Sequence, residues 1–298
     1  MKKILVVGSA NADLTIHTSR MPKLGETIPG NEFSTAAGGK GLNQAAAVAK
    51  LGGEVSFLGA VGCDTHGQLL LHTLQEYGIS FQGMESKEEA TGIALVTVAG
   101  GDNFIILSPG ANNLVTPALI EQKESLIAEA DCVVMQLEIP LESVIRAAEI
   151  AAAHGTMVFL NPAPARELPD TLLGMTDVLV PNEHEAESLT GICTDSEEGC
   201  VSAIQQLRGR GAETVIITRG EQGCAYNIGD NVMFCPAEKV HAVDTTSAGD
   251  SFIGALCVKL TDGADLSDAV KYAGKVSAVT VSRKGSSISI PYAEELDF

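Results

Sequence analysis

The chain has 298 residues, 45% of them hydrophobic, with 38 acidic against 19 basic side chains and a formal net charge of −19. That length buries a large core in one α/β domain, and that charge excludes a general nucleic-acid binder, because such affinity rests on Lys and Arg neutralising phosphates. A small anionic ligand stays compatible, since surface charge is screened beyond about 8 Å at physiological salt.

The apolar run at residues 4–7 stops at Gly8, too soon for the core of a secretory signal. Similar runs recur at 55–58, 132–135, 158–160, 178–180 and 215–217, and each reads as a buried parallel strand. Helical patterns at 41–51, 67–77, 141–153, 199–208 and 251–260 separate or follow them. The alternation predicts a doubly wound, mostly parallel α/β sheet flanked by helices, as one domain over 1–298. Two stretches, 14–37 and 91–107, alternate β-branched with polar residues around Gly and Pro. They predict a small β lid inserted over one edge of the sheet. No run is long enough to span a bilayer, and seven cysteines without a C-x-x-C pair read as reduced core thiols. A cytoplasmic protein is the expectation, with no membrane and no nucleic-acid partner.

In open α/β sheets, ligands sit beyond the carboxyl ends of the strands. Asn11 and Asp13 follow the first strand there, Glu138 follows the third, Asn182 and Glu185 follow 178–180, and Thr218 to Gly220 follow 215–217. The turn Ala37-Gly-Gly-Lys-Gly-Leu-Asn-Gln44 feeds a helix but is no Walker A loop, because Gly41 stands where that loop needs Ser or Thr. Its glycines permit close approach of a polyhydroxylated ligand, to which Lys40 and Asn43 can donate hydrogen bonds. Gly8-Ser-Ala-Asn-Ala-Asp13 lacks the G-x-G-x-x-G spacing of a dinucleotide site. The run Asp244-Thr-Thr-Ser-Ala-Gly-Asp250 opens directly into an apolar helix. The amides of Ser247, Ala248 and Gly249 then form a first turn that attracts negative charge, with Asp250 beside it as a proton acceptor. A plain N-cap is the competing reading of that turn.

Taken together, GSANAD at 8–13, GGKGLNQ at 38–44, QLEIPLE at 136–142, NPAPARELPD at 161–170, PNEHEAESLTG at 181–191 and DTTSAGD at 244–250 resemble the ribokinase family of PfkB-type carbohydrate kinases. The resemblance runs through nearly the whole chain. It implies an ATP-dependent kinase that phosphorylates the 5-hydroxyl of D-ribose. Asn11, Asp13, Gly39, Lys40, Asn43 and Glu138 would hold the sugar. Asp250 would be the general base, and the amides of Ser247, Ala248 and Gly249 the anion hole. It places ATP against Asn182, Thr218, Gly220, Gly223, Gly249 and Gly274, with Glu185 reaching Mg²⁺ through water. It also implies a K⁺ ion held by Asp244 and Thr246, by backbone oxygens near Thr280, Arg283 and Gly285, and by Ser289. Homodimerisation through the lid is a further implication. The family form most often has Gly or Ala where this chain has Ser247, and often a larger side chain where it has Gly274. Two other readings remain: a related kinase for deoxyribose, another sugar or a nucleoside, and a sugar- or nucleotide-binding sensor without turnover.

Overall fold

A computed structural model describes residues 2–100 and 102–296. In chain order its first strands are β1 (Lys3–Val7), β2 (Asn11–Thr18), β3 (Glu32–Gly38), β4 (Glu54–Gly62), β5 (Ser80–Lys87), β6 (Gly92–Ala99) and β7 (Asp102–Ser108). They are followed by β8 (Cys132–Met135), β9 (Met157–Leu160), β10 (Val178–Leu179), β11 (Thr214–Thr218), β12 (Cys224–Ile228) and β13 (Asn231–Cys235).

Successive side chains of a strand point to opposite faces, and here both faces are covered. In β1, Ile4 and Val6 enter one apolar cluster with Leu42, Val48, Phe252 and Leu256, while Leu5 and Val7 enter another with Ile120, Val144, Ile204 and Leu207. The first cluster is closed by helices Lys40–Lys50, Ala248–Thr261 and Leu266–Val281, the second by helices including Leu141–His154 and Glu197–Gly209. This double burial is why the strand sequences read as continuous apolar runs.

The large sheet has nine strands in the order β13-β12-β11-β10-β9-β8-β1-β4-β5. Every pairing from β11 to β5 is parallel, and β12 and β13 close the edge as an antiparallel hairpin. The chain leaves β1 toward β4 and β5 on one side and resumes at β8 on the other. The carboxyl ends of β1 and β8 therefore flank the point where strand order reverses, the crevice in which such sheets bind ligands.

Of the expected elements, the six parallel strands and the flanking helices are present, and β5, β12 and β13 are additional. β5 and β13 are the two edge strands and β12 stands next to an edge, and Ser80-Phe-Gln-Gly and Cys224-Ala-Tyr-Asn carry polar side chains that break an apolar run. The second sheet has the order β3-β2-β6-β7, with β2 and β6 parallel and both outer pairs antiparallel. It begins earlier than the alternation suggested. Asn11 and Asp13 lie within β2, paired with Gly38 and Ala36 of β3 and with Gly92 and Ala94 of β6, rather than in a loop after β1. No helix among the described residues is long and apolar enough to cross a membrane.

Candidate active site

The crevice between β1 and β8 is organised by Glu138. Its Oε2 accepts hydrogen bonds from Ser9 Oγ at 2.5 Å, Asn11 Nδ2 at 3.3 Å and the Lys40 amide at 3.2 Å. Asn112 Nδ2 in turn donates to Asn11 Oδ1 at 2.8 Å, which settles which way the Asn11 amide faces. Gly39 lets the chain turn here: its φ is 90°, and a Cβ would lie 2.8 Å from the Asn11 amide nitrogen. Burial, and then the charges of Glu138 and Asp250, push the Asp13 carboxyl from its ordinary 3.8 up to about 7. Burial alone would lower the Lys40 ammonium, but Asp250, Glu138 and Glu185 outweigh it and raise its pKa. Asn11, Asp13, Gly39, Lys40 and Glu138 thus share one electrostatic neighbourhood. Ser9 and Asn112 belong to it as well, although the sequence did not single them out.

Asp250, electrostatically coupled to Asp13 and Lys40, is only 8% exposed. Its Oδ1 accepts from Gln44 Nε2 at 3.0 Å and its Oδ2 from Asn43 Nδ2 at 3.1 Å. Burial raises its pKa. Lys40, Gln44 and Asn43 pull it back, and Glu138 adds to the rise. Donating to Asp250 leaves Asn43 Oδ1 buried without a protein donor. Such an acceptor is costly unless a hydroxyl meets it, which suits a polyol ligand.

Asp250 rides on helix Ala248–Thr261, whose N-cap Ser247 has φ 60°, the one positive φ outside glycine among the described residues. Left-handed backbone explains why glycine is at home in this turn. Ser251 N closes the first helical bond to Ser247 O at 2.9 Å, and Ala248 N reaches Thr245 O at 3.3 Å. The Ala248 amide is therefore partly spent within the turn. By position the Gly249 and Asp250 amides have no acceptor inside the helix, and a Cβ on Gly249 would meet nothing within 4 Å. Ser247 Oγ is buried and unpartnered.

At the other end of the turn, Asp244 accepts from the amides of Thr246 at 2.9 Å and Gly285 at 3.0 Å. Burial would raise its pKa, but these two donors hold it below the ordinary carboxylate value. Val243 N and Asp244 N both bond Val281 O, so the 244–246 turn and the 280–289 segment meet. In that segment Thr280 O accepts from Arg283 N at 3.1 Å. Ser289 Oγ donates to Ser286 O at 2.7 Å, and the Arg283 guanidinium is turned away onto Glu295. Carbonyl, hydroxyl and carboxylate oxygens are the donor types a weakly charged hard cation takes. Among the described residues, no three His, Cys, Asp or Glu side chains group as metal ligands.

Toward the far strands, Asn182 caps helix Glu183–Thr190 in a capping box with Glu185, whose Oε2 accepts from Asn182 N at 2.8 Å. Glu185 is buried, and its pKa is raised by that burial against the opposing Asn182 bond and Lys40. It is no member of a solvated helix face, whereas Glu187 is exposed. Thr218 bridges to Asn182, and its amide bonds Pro181 O at 3.0 Å. Gly220 and Gly223 bound the short turn after β11. On helix Leu266–Val281, Ser277 Oγ donates to Ala248 O at 3.0 Å. Gly274, three residues earlier, shares that face and leaves open space where a side chain would stand. The 182–185 and 218 positions thus meet through the Asn182–Thr218 bridge, and the helix that carries Gly274 touches the first turn of the Asp250 helix through Ser277.

A family model described as pfkB family carbohydrate kinase matches residues 1–293. A ribokinase of Schizosaccharomyces pombe is 42% identical over 310 residues, covering 100% of this chain and 97% of its own. A deoxyribokinase of Salmonella typhimurium is 37% identical over 297 residues, covering 99% of this chain and 97% of its own. The solved structure of Arabidopsis thaliana ribokinase complexed with ribose and ATP has a TM-score of 0.93 at 33% identity, covering 99% of this chain and 97% of that one.

Proposed function

The chain belongs to the pfkB family of carbohydrate kinases, and on that premise we propose that it transfers the γ-phosphoryl group of ATP to the 5-hydroxyl of D-ribose. The observation that carries this reading is Asp250: a buried carboxylate gripped at both oxygens by Asn43 and Gln44, at the first turn of a helix. The sugar lies among Asn11, Asp13, Gly39, Lys40, Asn43 and Glu138, its hydroxyls meeting carboxylates and amides that suit a neutral polyol. Asp250 takes the proton of the 5-hydroxyl as that oxygen attacks the γ-phosphorus, and the bond to the bridging oxygen breaks to release ADP. Burial, by raising the pKa of Asp250, makes it the better acceptor. The free amides at Gly249 and Asp250, together with Ser247 and Ala248, face the charge on the transferring group.

ATP lies along Asn182, Thr218, Gly220, Gly223 and Gly274. Mg²⁺, approached by Glu185 through water, would neutralise phosphate charge. A K⁺ ion among Asp244, Thr246, Thr280, Arg283, Gly285 and Ser289 would brace the anion turn. The small sheet acts as a lid over the sugar. On its inner face stand Asn11 and Asp13. Its other face exposes Phe33, Leu95, Phe104 and Ile106, which the strand register places side by side. A second copy covers that apolar face, giving a homodimer. Sedimentation at micromolar protein is expected to find the dimer, and a monomer alone would contradict it. The cysteines are free thiols, which suits a cytoplasmic setting.

The reading is tested by an ATP-consumption assay across pentoses, hexoses and nucleosides. Ribose is expected to give the highest kcat/KM. A site that hydrogen-bonds a substrate hydroxyl rejects the analogue lacking it by ~10⁴–10⁵, so preference for deoxyribose would replace ribose as substrate.

A further inference from the structure

We propose that three side-chain amides, Gln136, Gln44 and Asn161, form a relay that fixes the orientation of the Asp250 carboxylate, making Gln44 and Gln136 positioning residues for phosphoryl transfer. The proposal rests on the kinase reading above. None of the three was singled out by the sequence as a site residue, yet all are buried directly behind the base.

The direction of every amide in the relay follows from one backbone carbonyl. Val180 O, just past β10, can only accept, and Asn161 Nδ2 donates to it at 2.9 Å. That turns Asn161 Oδ1 toward Gln44, whose Nε2 donates to it at 3.2 Å. The same Gln44 Nε2 donates to Asp250 Oδ1 at 3.0 Å. Gln44 Oε1 is thereby pointed away from Asp250, and Gln136 Nε2 fills it at 2.6 Å. With Gln136, Asn161 and Val180 following β8, β9 and β10, the relay ties Asp250 to three strand ends. Asn43 holds the second oxygen, so the plane of the carboxylate is set.

Gln136 shows that the arrangement comes at a cost in packing. Its Oε1 is buried with no partner, and β1 is followed by a glycine that makes room for it: a Cβ on Gly8 would fall 2.0 Å from that oxygen. An apolar side chain of the same length would fill the space without an orphaned carbonyl. What Gln136 adds is the N–H that keeps Gln44 from presenting its oxygen to Asp250.

The test compares Gln44→Met and Gln136→Met in the full chain, using whichever sugar the unaltered protein turns over fastest. Gln44→Met is expected to lower kcat by ~10–100-fold with sugar KM changed less than ~3-fold, a fraction of the ~10²–10⁴ that a general base supplies. Removing a donor from a carboxylate favours its protonated form, so the acid limb of the kcat profile moves to higher pH. Lys40, Glu138, Glu185, Asn43 and Asp13, the other groups around Asp250, stay in place. Gln136→Met, which removes no hydrogen bond to Asp250 or to the sugar-pocket residues, should move the limb the same way with a ~3–10-fold fall in kcat and no loss of Tm, and the double variant should be no worse than Gln44→Met alone. The same shift is read without turnover from ¹³C-labelled aspartate, with Asp250 assigned by Asp250→Asn. A fixed Asp250 titration, or additive losses accompanied by falling Tm, overturns the relay. A protein that phosphorylates some other sugar but shows the shift keeps the relay and overturns only the choice of ribose.

Discussion

Asp244 and Asp250 bracket one short turn, yet their surroundings drive them apart. Asp244 accepts two backbone amides and is held below its ordinary pKa, while Asp250 is buried behind two side-chain amides and raised above it. The same residue type therefore sits in two opposite settings: backbone donors favour the charged form of Asp244, and burial favours the protonated form of Asp250. Backbone donors fix a charge permanently. At Asp250 the side-chain donors also favour the charge, and burial overrides them.

The contrast is broken most severely at Asp250. Asp250→Asn keeps the amide contacts within reach but removes the base, and kcat is expected to fall by ~10²–10⁴ while ribose still binds in calorimetry. Equal turnover would show that Asp250 is no base. Asp244→Asn should cost less, about 10-fold in kcat, because it loosens a brace rather than the chemistry. Its signature is a smaller difference between rates in KCl and in choline chloride, and an unchanged difference would remove Asp244 from any cation shell.

Asp13 sharpens the comparison from the lid side. Its carboxyl is raised from 3.8 to about 7, so the folded state holds its proton more tightly than the unfolded one. Stability is therefore lost as pH rises from about 4 through about 7. Asp13→Asn is expected to raise Tm above that of the unaltered chain at pH 8 and much less at pH 5, and to weaken ribose binding. A Tm difference that does not depend on pH would contradict the shift. The smallest effect belongs to Ser247→Gly, which relieves the left-handed residue and should stabilise the chain by about 1 kcal/mol in urea unfolding with activity retained.

Much of this site was legible in the sequence because its residues stand at the ends of apolar runs. The runs at 4–7, 132–135 and 178–180 located the crevice, and DTTSAGD before an apolar helix located Asp250. The outer strands were harder, since β5 and β12 mix polar with apolar side chains and lie at or next to an edge of the sheet. The polar start of β2 hid a strand for a different reason: Asn11 and Asp13 face the crevice, so the lid strand carries site residues where a core strand would carry apolar ones. Gln44 lies in the motif that was read, but its partners Gln136, Asn161 and Asp250 are 92, 117 and 206 residues away. No local pattern carries pairings of that range. Asn112 behind Asn11 was hidden in the same way.

The central claim is tested most directly by ³¹P NMR of ribose and MgATP incubated with the protein. Ribose 5-phosphate and ADP should appear in equal amounts. ADP without a sugar phosphate, or phosphate on a hydroxyl other than the fifth, would contradict the account.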